Sequence, residues 1–437
     1  MNLSHSSNDR YDLLSFYRQN RERTEQLFSL ITDDAYYERP IALRNPIVFY
    51  EGHLPAFGIN TLLKHGLGRP GINSELEVLF ARGIDPEDEQ SAQKHARDLW
   101  PSRMDVRAYV KAADEQIVEA IEHADLGPKA FQALFTILEH DAMHHETLLY
   151  MWHQLPAGLK KPPSGYLART EGRRPAPEVI RIPAGRVTLG TDRVSHRFGW
   201  DNEFQSQEVY VNAFEIDRHN VTNADFMEFL AAGGYGNERL WSPEAWRWIQ
   251  DGGIHHPVFW KQSDTGWLWI GQFGEVPLPE TWPAFVSHHE AEAYAVWKDR
   301  RLVSEAEYHR AAYGTSDGTE RNQPWGSADA SPRSGNFDFQ SWDPVAVGSF
   351  PEGRSAWGVD DLVGNGWEWT STRFGPFPGF EPMPSYPEYS ADFFDDQHFV
   401  MKGASPVTSR RLVRRSFRNW FRPNYPYVYA SFRTALS

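Results

Sequence analysis

The sequence predicts an α + (α+β) chain: an N-terminal four-helix bundle followed by a loop-rich α+β domain. Three observations carry that expectation. Apolar residues recur at helical spacing through roughly the first 160 positions. A stretch rich in Pro, Gly and basic residues follows, the composition of a linker. Beyond it come short apolar runs broken by Gly, Asn and Asp. At 437 residues the chain is long for one core, since compact domains hold roughly 150. The expected division is 1–160 for the bundle, 161–180 for the linker and 181–437 for the second domain.

Taken in order, Leu13, Leu14, Phe16 and Tyr17 open the first helix, which runs on through Leu27, Phe28 and Ile31. The second passes through Ile47, Phe49, Tyr50, His53, Leu54 and Phe57. Pro55 inside it removes one backbone hydrogen bond and bends the axis. Ser102 with Asp105 forms a capping signature that opens the third, whose apolar face is Val106, Val110, Ile117 and Ile121. The fourth spans Phe131 to Leu155 and carries Leu134, Phe135, Leu138, Leu149 and Trp152. Four such helices make an antiparallel bundle. In the second half two helices are expected, Asn223–Ala232 and His289–Lys298.

Composition narrows the function. A formal charge of −15 argues against a nucleic-acid partner, which asks for a basic surface. No apolar run is long enough to cross a bilayer, so no membrane role is expected. Met1 to Arg10 is polar and lacks the apolar core of a signal peptide. There is no cysteine, which removes disulfides, thiolate ligands and cysteine nucleophiles together. The expectation is a cytoplasmic protein. Its 17 Trp, 27 Phe and 18 Tyr suit a loop-rich core, and ring faces also attract quaternary ammonium ligands.

His140 and His144 lie four apart on the fourth helix, so both imidazoles leave the same face. The pair alone is a weak signal, because a solvated helix face has the same spacing. Its setting is polar, from Glu139 to Glu146, within an otherwise apolar helix. Bundles that turn histidines and carboxylates inward do so around metals. His53, beside Gly52 on the second helix, is the third candidate ligand. Three neutral imidazoles leave positions open for substrate and dioxygen. Glu146 is placed to orient an imidazole from outside the ligand set.

Gly52-His53-Leu54 followed by His140-x-x-x-His144-x-Glu146 resembles the iron motif of the ergothioneine and ovothiol sulfoxide synthases, whose bundle is of the DinB type. That resemblance implies Fe(II) held by His53, His140 and His144. In the second half, Ile182 to Gly190, Val221-Thr222-Asn223, Arg301 to Glu307 and Gly364 to Trp369 resemble the formylglycine-generating-enzyme, or sulfatase-modifying-factor, fold, which is C-type-lectin-like. Formylglycine generation itself needs active-site cysteines and is excluded. Phe198 to Glu203 resembles the version of this domain fused to iron bundles in the sulfoxide synthases.

The resemblance implies a four-electron oxidation in which O2 drives a bond between a chalcogen and imidazole carbon 2 of hercynine, Nα-trimethylhistidine. It assigns Asn419 to the substrate imidazole. A trimethylammonium group asks for aromatic faces, and Trp420 and Phe421 beside Asn419 either offer them or pack the core. Three departures bear on the substrate. Met143 stands where many members carry a glutamine, and Phe377 where some carry a proton-donating tyrosine. Phe421 and about Tyr425 stand where γ-glutamylcysteine users carry charged residues. Together with Lys402 to Pro406 and Arg414 to Tyr427, this is most similar to the selenoneine synthase branch, whose donor is the selenosugar 1-seleno-glucose. A thiol donor, cysteine or γ-glutamylcysteine, remains the alternative, and a non-catalytic binding protein is the reading from another class. Oligomeric state is left open.

Overall fold

A computed structural model describes residues 7–81, 100–194 and 197–437. The chain divides into two compact units. The first is Met1–Tyr166 with Pro384–Tyr386, and the second is Leu167–Met383 with Pro387–Ser437.

The first unit is helical, as its periodicity predicts. Its helices are α1 (Ser7–Ser29), α2 (Ile47–Gly58), α3 (Ser74–Leu79), α4 (Arg103–His123) and α5 (Pro128–His153). Helix α1 buries Leu13, Phe16, Tyr17, Leu27 and Phe28. Helix α2 is buried on every side, consistent with its apolar sequence. It carries Pro55 and passes directly into a π-helical segment, Ile59–Gly66, which the sequence does not announce. Such wide turns cluster at functional sites. Ser102 caps α4 by accepting from the Asp105 amide, as expected. On α4 it is Tyr109, with Val106, Ile117 and Ile121, that reaches the core; Val110 is only half-buried. Proline at the first turn of α5 needs no amide partner there. Helix α2 packs on α4 and α5, and the π segment packs on α5.

The second unit mixes short strands with helices. One sheet has the order β1 (Val179–Ile182), β4 (Phe214–Asp217), β13 (Thr434–Leu436), β8 (Arg301–Leu302). Another has the order β11 (Asn419–Phe421), β10 (Phe399–Ala404), β9 (Gly366–Arg373), β12 (Ala430–Ser431). A hairpin, β2 (Gly185–Leu189) with β3 (Gln207–Val211), and a meander, β5 (Trp260–Ser263), β6 (Gly266–Gly271) and β7 (Gly274–Pro277), complete the strands described.

The two expected helices are α6 (Asn223–Ala231) and α8 (His288–Trp297). Two more correct the sequence reading: α7 (Pro243–Gly252) and α9 (Glu305–Tyr313), followed by a single turn, α10 (Glu388–Ala391). Helix α9 begins at a full capping box, Ser304 with Glu307, and Arg301 grips the same Glu307 with two N–H donors at 2.8 and 2.6 Å. The Arg301–Glu307 motif is therefore a helix start locked to the strand before it.

The Gly364–Trp369 motif has an equally structural role. Gly364 and Asn365 take positive φ values of 98° and 69°, which glycine accepts freely and asparagine tolerates. Asn365 then exchanges hydrogen bonds with the backbone of Val345. Glu368, fully buried, pairs with equally buried Arg433, whose other donors reach the carbonyls of Arg218 and Asp360 and the Asn220 amide oxygen. Removing one partner of such a pair costs about 3–5 kcal/mol. Among the described residues no helix is long and apolar enough to cross a membrane.

Candidate metal centre

Helix α5 carries His140 and His144, and α2 carries His53. The three rings meet inside the first unit. Centroid separations are 5.1 Å for His53–His140, 5.0 Å for His53–His144 and 4.4 Å for His140–His144. One nitrogen from each ring lies within 4.8 Å of the others. His53 and His140 are 1% and 2% exposed, while His144 is half-buried.

Tautomers follow from the hydrogen bonds. His53 Nδ1 is 2.8 Å from the Phe80 carbonyl, which can only accept, so Nδ1 donates and Nε2 keeps its lone pair. That Nε2 is 3.3 Å from His140 Nε2. Two nitrogens bound to one ion at 2.0–2.1 Å stand about 3.0–3.4 Å apart, so this spacing fits a shared metal. The Nδ1 atoms of His140 and His144 are buried without a hydrogen-bond partner. Burial pushes His53 down to about 4, and drives His140 and His144 well below their ordinary value with help from neighbouring positive charge. All three are therefore neutral near pH 7, the form in which imidazole binds metal.

Aromatic packing fixes the ring orientations. Phe57 stacks on His140 at 3.7 Å and Phe49 on His53 at 4.9 Å. Gly52 lets α2 approach Phe80, since a Cβ there would lie within 2.6 Å of three Phe80 ring atoms. The adjacent His145 is turned away and meets Thr24 Oγ1 at 2.9 Å. Met143 and Glu146 are half-buried on α5. Glu146 lies two residues beyond His144, about 200° round the helix. Asp141 sets a carboxylate beside a candidate ligand, with Oδ1 3.8 Å from His140 Nδ1.

Sequence reasoning missed Tyr386. It belongs to the short segment that clusters with the bundle, and its ring lies 5.2 Å from Phe57 and 6.2 Å from His140. Nothing local marks it, because its distance from the histidines along the chain hides the contact.

In the second unit, Asn419 opens β11, with its side-chain oxygen accepting from the Trp420 amide at 2.9 Å. Residues on a strand alternate faces, so Asn419 and Phe421 share one and Trp420 takes the other. Trp420 stacks on Phe374 at 4.1 Å and touches Tyr389 and Phe393. Phe421 stacks on Tyr425 at 5.2 Å, and Tyr425 meets Tyr427 edge-on. Just before the strand, Arg418 holds Glu305 through two N–H donors and the carbonyls of Asn202 and Gly375 through a third. Its guanidinium lies over Phe377, 4.2 Å from the ring centre.

The DinB superfamily matches residues 17–148, and the sulfatase-modifying factor enzyme 1-like domain matches residues 166–437. A hercynine oxygenase of Mycolicibacterium smegmatis is 32% identical over 423 residues, covering 95% of this chain and 96% of that protein. The chain belongs to the hercynine oxygenase family. It also resembles the hercynine oxygenase of Mycolicibacterium thermoresistibile, at 31% identity over 95% of this chain and 92% of that protein. Ergothioneine biosynthesis protein 1 of Neurospora crassa is 27% identical over 92% of this chain and 55% of that protein. As a member of the hercynine oxygenase family the chain is an enzyme, an oxygen-dependent oxidoreductase, and the non-catalytic reading is set aside.

Proposed function

We propose that the enzyme is Fe(II)-dependent and couples hercynine to 1-seleno-glucose, with His53, His140 and His144 as the metal ligands. A selenol hydrogen and the imidazole C2 hydrogen leave, a C–Se bond forms, and one oxygen of O2 ends on selenium and the other in water. The observation that carries the metal assignment is the 3.3 Å approach of His53 and His140 Nε2 atoms, completed by His144. Iron bound there would supply redox chemistry with O2 at the positions that three imidazoles leave open.

The chain's own residues do the positioning. Asn419 offers its amide to the hercynine imidazole, on the strand face shared with Phe421. The Phe421–Tyr425 stack offers aromatic surface to a neutral sugar ring and no charge for a glutamyl carboxylate. Trp420 anchors β11 from behind through Phe374. Tyr386, beside His140, is the hydroxyl we assign to proton delivery, since Phe377 has none. The setting is cytoplasmic, where selenol and thiol donors stay reduced.

A second reading rests on the relatives' names: an ergothioneine-type sulfoxide synthase taking cysteine or γ-glutamylcysteine. Aerobic turnover of hercynine with each donor in parallel separates the two by the mass of the product.

A further inference from the structure

Outside the bundle, a second group of side chains of metal-ligating types sits near the start of α8: His288, His289 and Glu292. One ligand atom from each lies within 4.8 Å of the others. His288 is fully buried, and its Nε2 is 3.0 Å from the carbonyl of Thr370 on β9. A carbonyl only accepts, so Nε2 carries the proton, and in the neutral ring Nδ1 holds a lone pair. That lone pair faces Glu292 Oε2 at 3.5 Å, with no hydrogen bond at Nδ1. Two acceptors turned towards each other need a cation or a proton between them.

His289 is the second, independent observation. It is 4% exposed, and neither of its ring nitrogens has a hydrogen-bond partner. Buried polar groups are nearly always satisfied, by protein, by ordered water or by a metal ion, and two imidazoles beside a carboxylate favour the last. The surroundings hold both rings still. Phe399 stacks on His288 at 3.8 Å, and the Trp248 ring stands 5.6 Å from His289. The Glu292 side chain is 44% exposed, so the cluster is open to solvent on one side.

We propose that His288, His289 and Glu292 form a second metal site, separate from the bundle histidines, that takes a borderline divalent ion such as Zn2+. Two imidazole nitrogens and one carboxylate oxygen match that class of ion. Calcium and magnesium, which want six or more oxygens, do not fit. Bound there, the ion ties the first turn of α8 to strand β9 through His288 and gives the orphaned His289 a partner. The site is structural: its ligands come from one helix turn braced against a sheet.

The test uses the full-length chain, stripped with chelator, reloaded with Zn2+ alone and dialysed, with zinc per chain read by mass spectrometry. Glu292→Ala is the primary variant, because the residue is partly exposed and alanine favours helix. His289→Ala is the second, and circular dichroism checks that both keep the wild-type fold. The expected result is one zinc equivalent fewer in Glu292→Ala than in wild type, with zinc-induced thermal stabilisation reduced. Equal zinc content in wild type and Glu292→Ala overturns the proposal.

Discussion

His53 Nε2 stands 3.3 Å from His140 Nε2 while its Nδ1 donates to the carbonyl of Phe80. One hydrogen bond thus aims the His53 lone pair on α2 at Nε2 of His140 on α5. Second-position hydrogen bonds of this kind orient metal-binding histidines.

His53→Ala, His140→Ala and His144→Ala should each lose most bound iron after anaerobic reconstitution, with turnover lost in parallel. The affinity loss should be at least the 10- to 100-fold that outer-sphere changes cost, on the order-of-magnitude scale. His145→Ala should keep its iron. It should instead unfold more easily by about 1–3 kcal/mol, because Thr24 keeps only its bond to the Asn20 carbonyl and the buried His145 hydrogen bond is lost. Iron content and urea denaturation of the four variants decide; iron loss in His145→Ala equal to that in His144→Ala would overturn the ligand assignment.

Gly52→Ala tests the geometry without touching a ligand. Its new Cβ collides with the Phe80 ring, and overpacking of this kind costs about 1–3 kcal/mol. Phe80 must shift, and its carbonyl holds His53. The variant should bind iron more weakly as well as being less stable. Wild-type iron affinity in a destabilised variant would show that Phe80 does not set the His53 ring.

Both the His140–His144 pair on α5 and the capping of α4 were legible in the sequence, because each is a local signal: an i, i+4 spacing in one case and a Ser-x-x-Asp in the other. Helix α9 has the same kind of start, Ser304-x-x-Glu307, but it buries Glu305, His309 and Arg310 alongside Tyr308 and Tyr313, so no clean apolar stripe marks it. Helix α7 carries readable local signals too, Ser242-Pro243 at its start and Gly252-Gly253 at its end. What could not be read was long-range. Tyr386 reaches His140 only through the tertiary fold. Asn419, Trp420 and Phe421 read as one aromatic patch until β11 is known to be a strand, and alternation then sends Trp420 to the other face. The buried pair His288 and His289 resembles the start of any amphipathic helix until its orphaned nitrogens are seen.

Asn419→Ala should weaken hercynine binding by about 1–3 kcal/mol, the cost of leaving a buried polar partner unmade. Iron content should not change. Isothermal titration of the iron-loaded variant with hercynine checks this, and unchanged affinity would remove Asn419 from the substrate site.

Acid should destabilise the metal-free protein well before carboxylates titrate. Burial holds His53 at about 4 and His145 at about 3. In the unfolded chain these rings take up protons near pH 6.5. As pH falls below about 6.5 the unfolded state therefore binds more protons than the folded one, and stability declines until the folded values are reached. The slope approaches about 1.4 kcal/mol per pH unit for each such ring. Melting temperatures of the metal-free chain should fall steadily from pH 7 to pH 5; a flat profile across that window would mean that the rings are not buried in their neutral form.

The most direct test of the proposed function is a competition for limiting hercynine. Equal concentrations of 1-seleno-glucose, cysteine and γ-glutamylcysteine are supplied to the iron-loaded enzyme in air, and the products are identified by mass. Burying the charges of γ-glutamylcysteine against Phe421 and Tyr425 without partners costs several kcal/mol, and about 1.4 kcal/mol is a factor of ten. The selenosugar adduct should therefore dominate, with the γ-glutamylcysteine adduct lower by about two orders of magnitude or more. A dominant hercynine–cysteine sulfoxide would contradict the selenium assignment while leaving the metal centre standing, and a dominant γ-glutamylcysteine adduct would contradict the role given to the Phe421–Tyr425 stack as well.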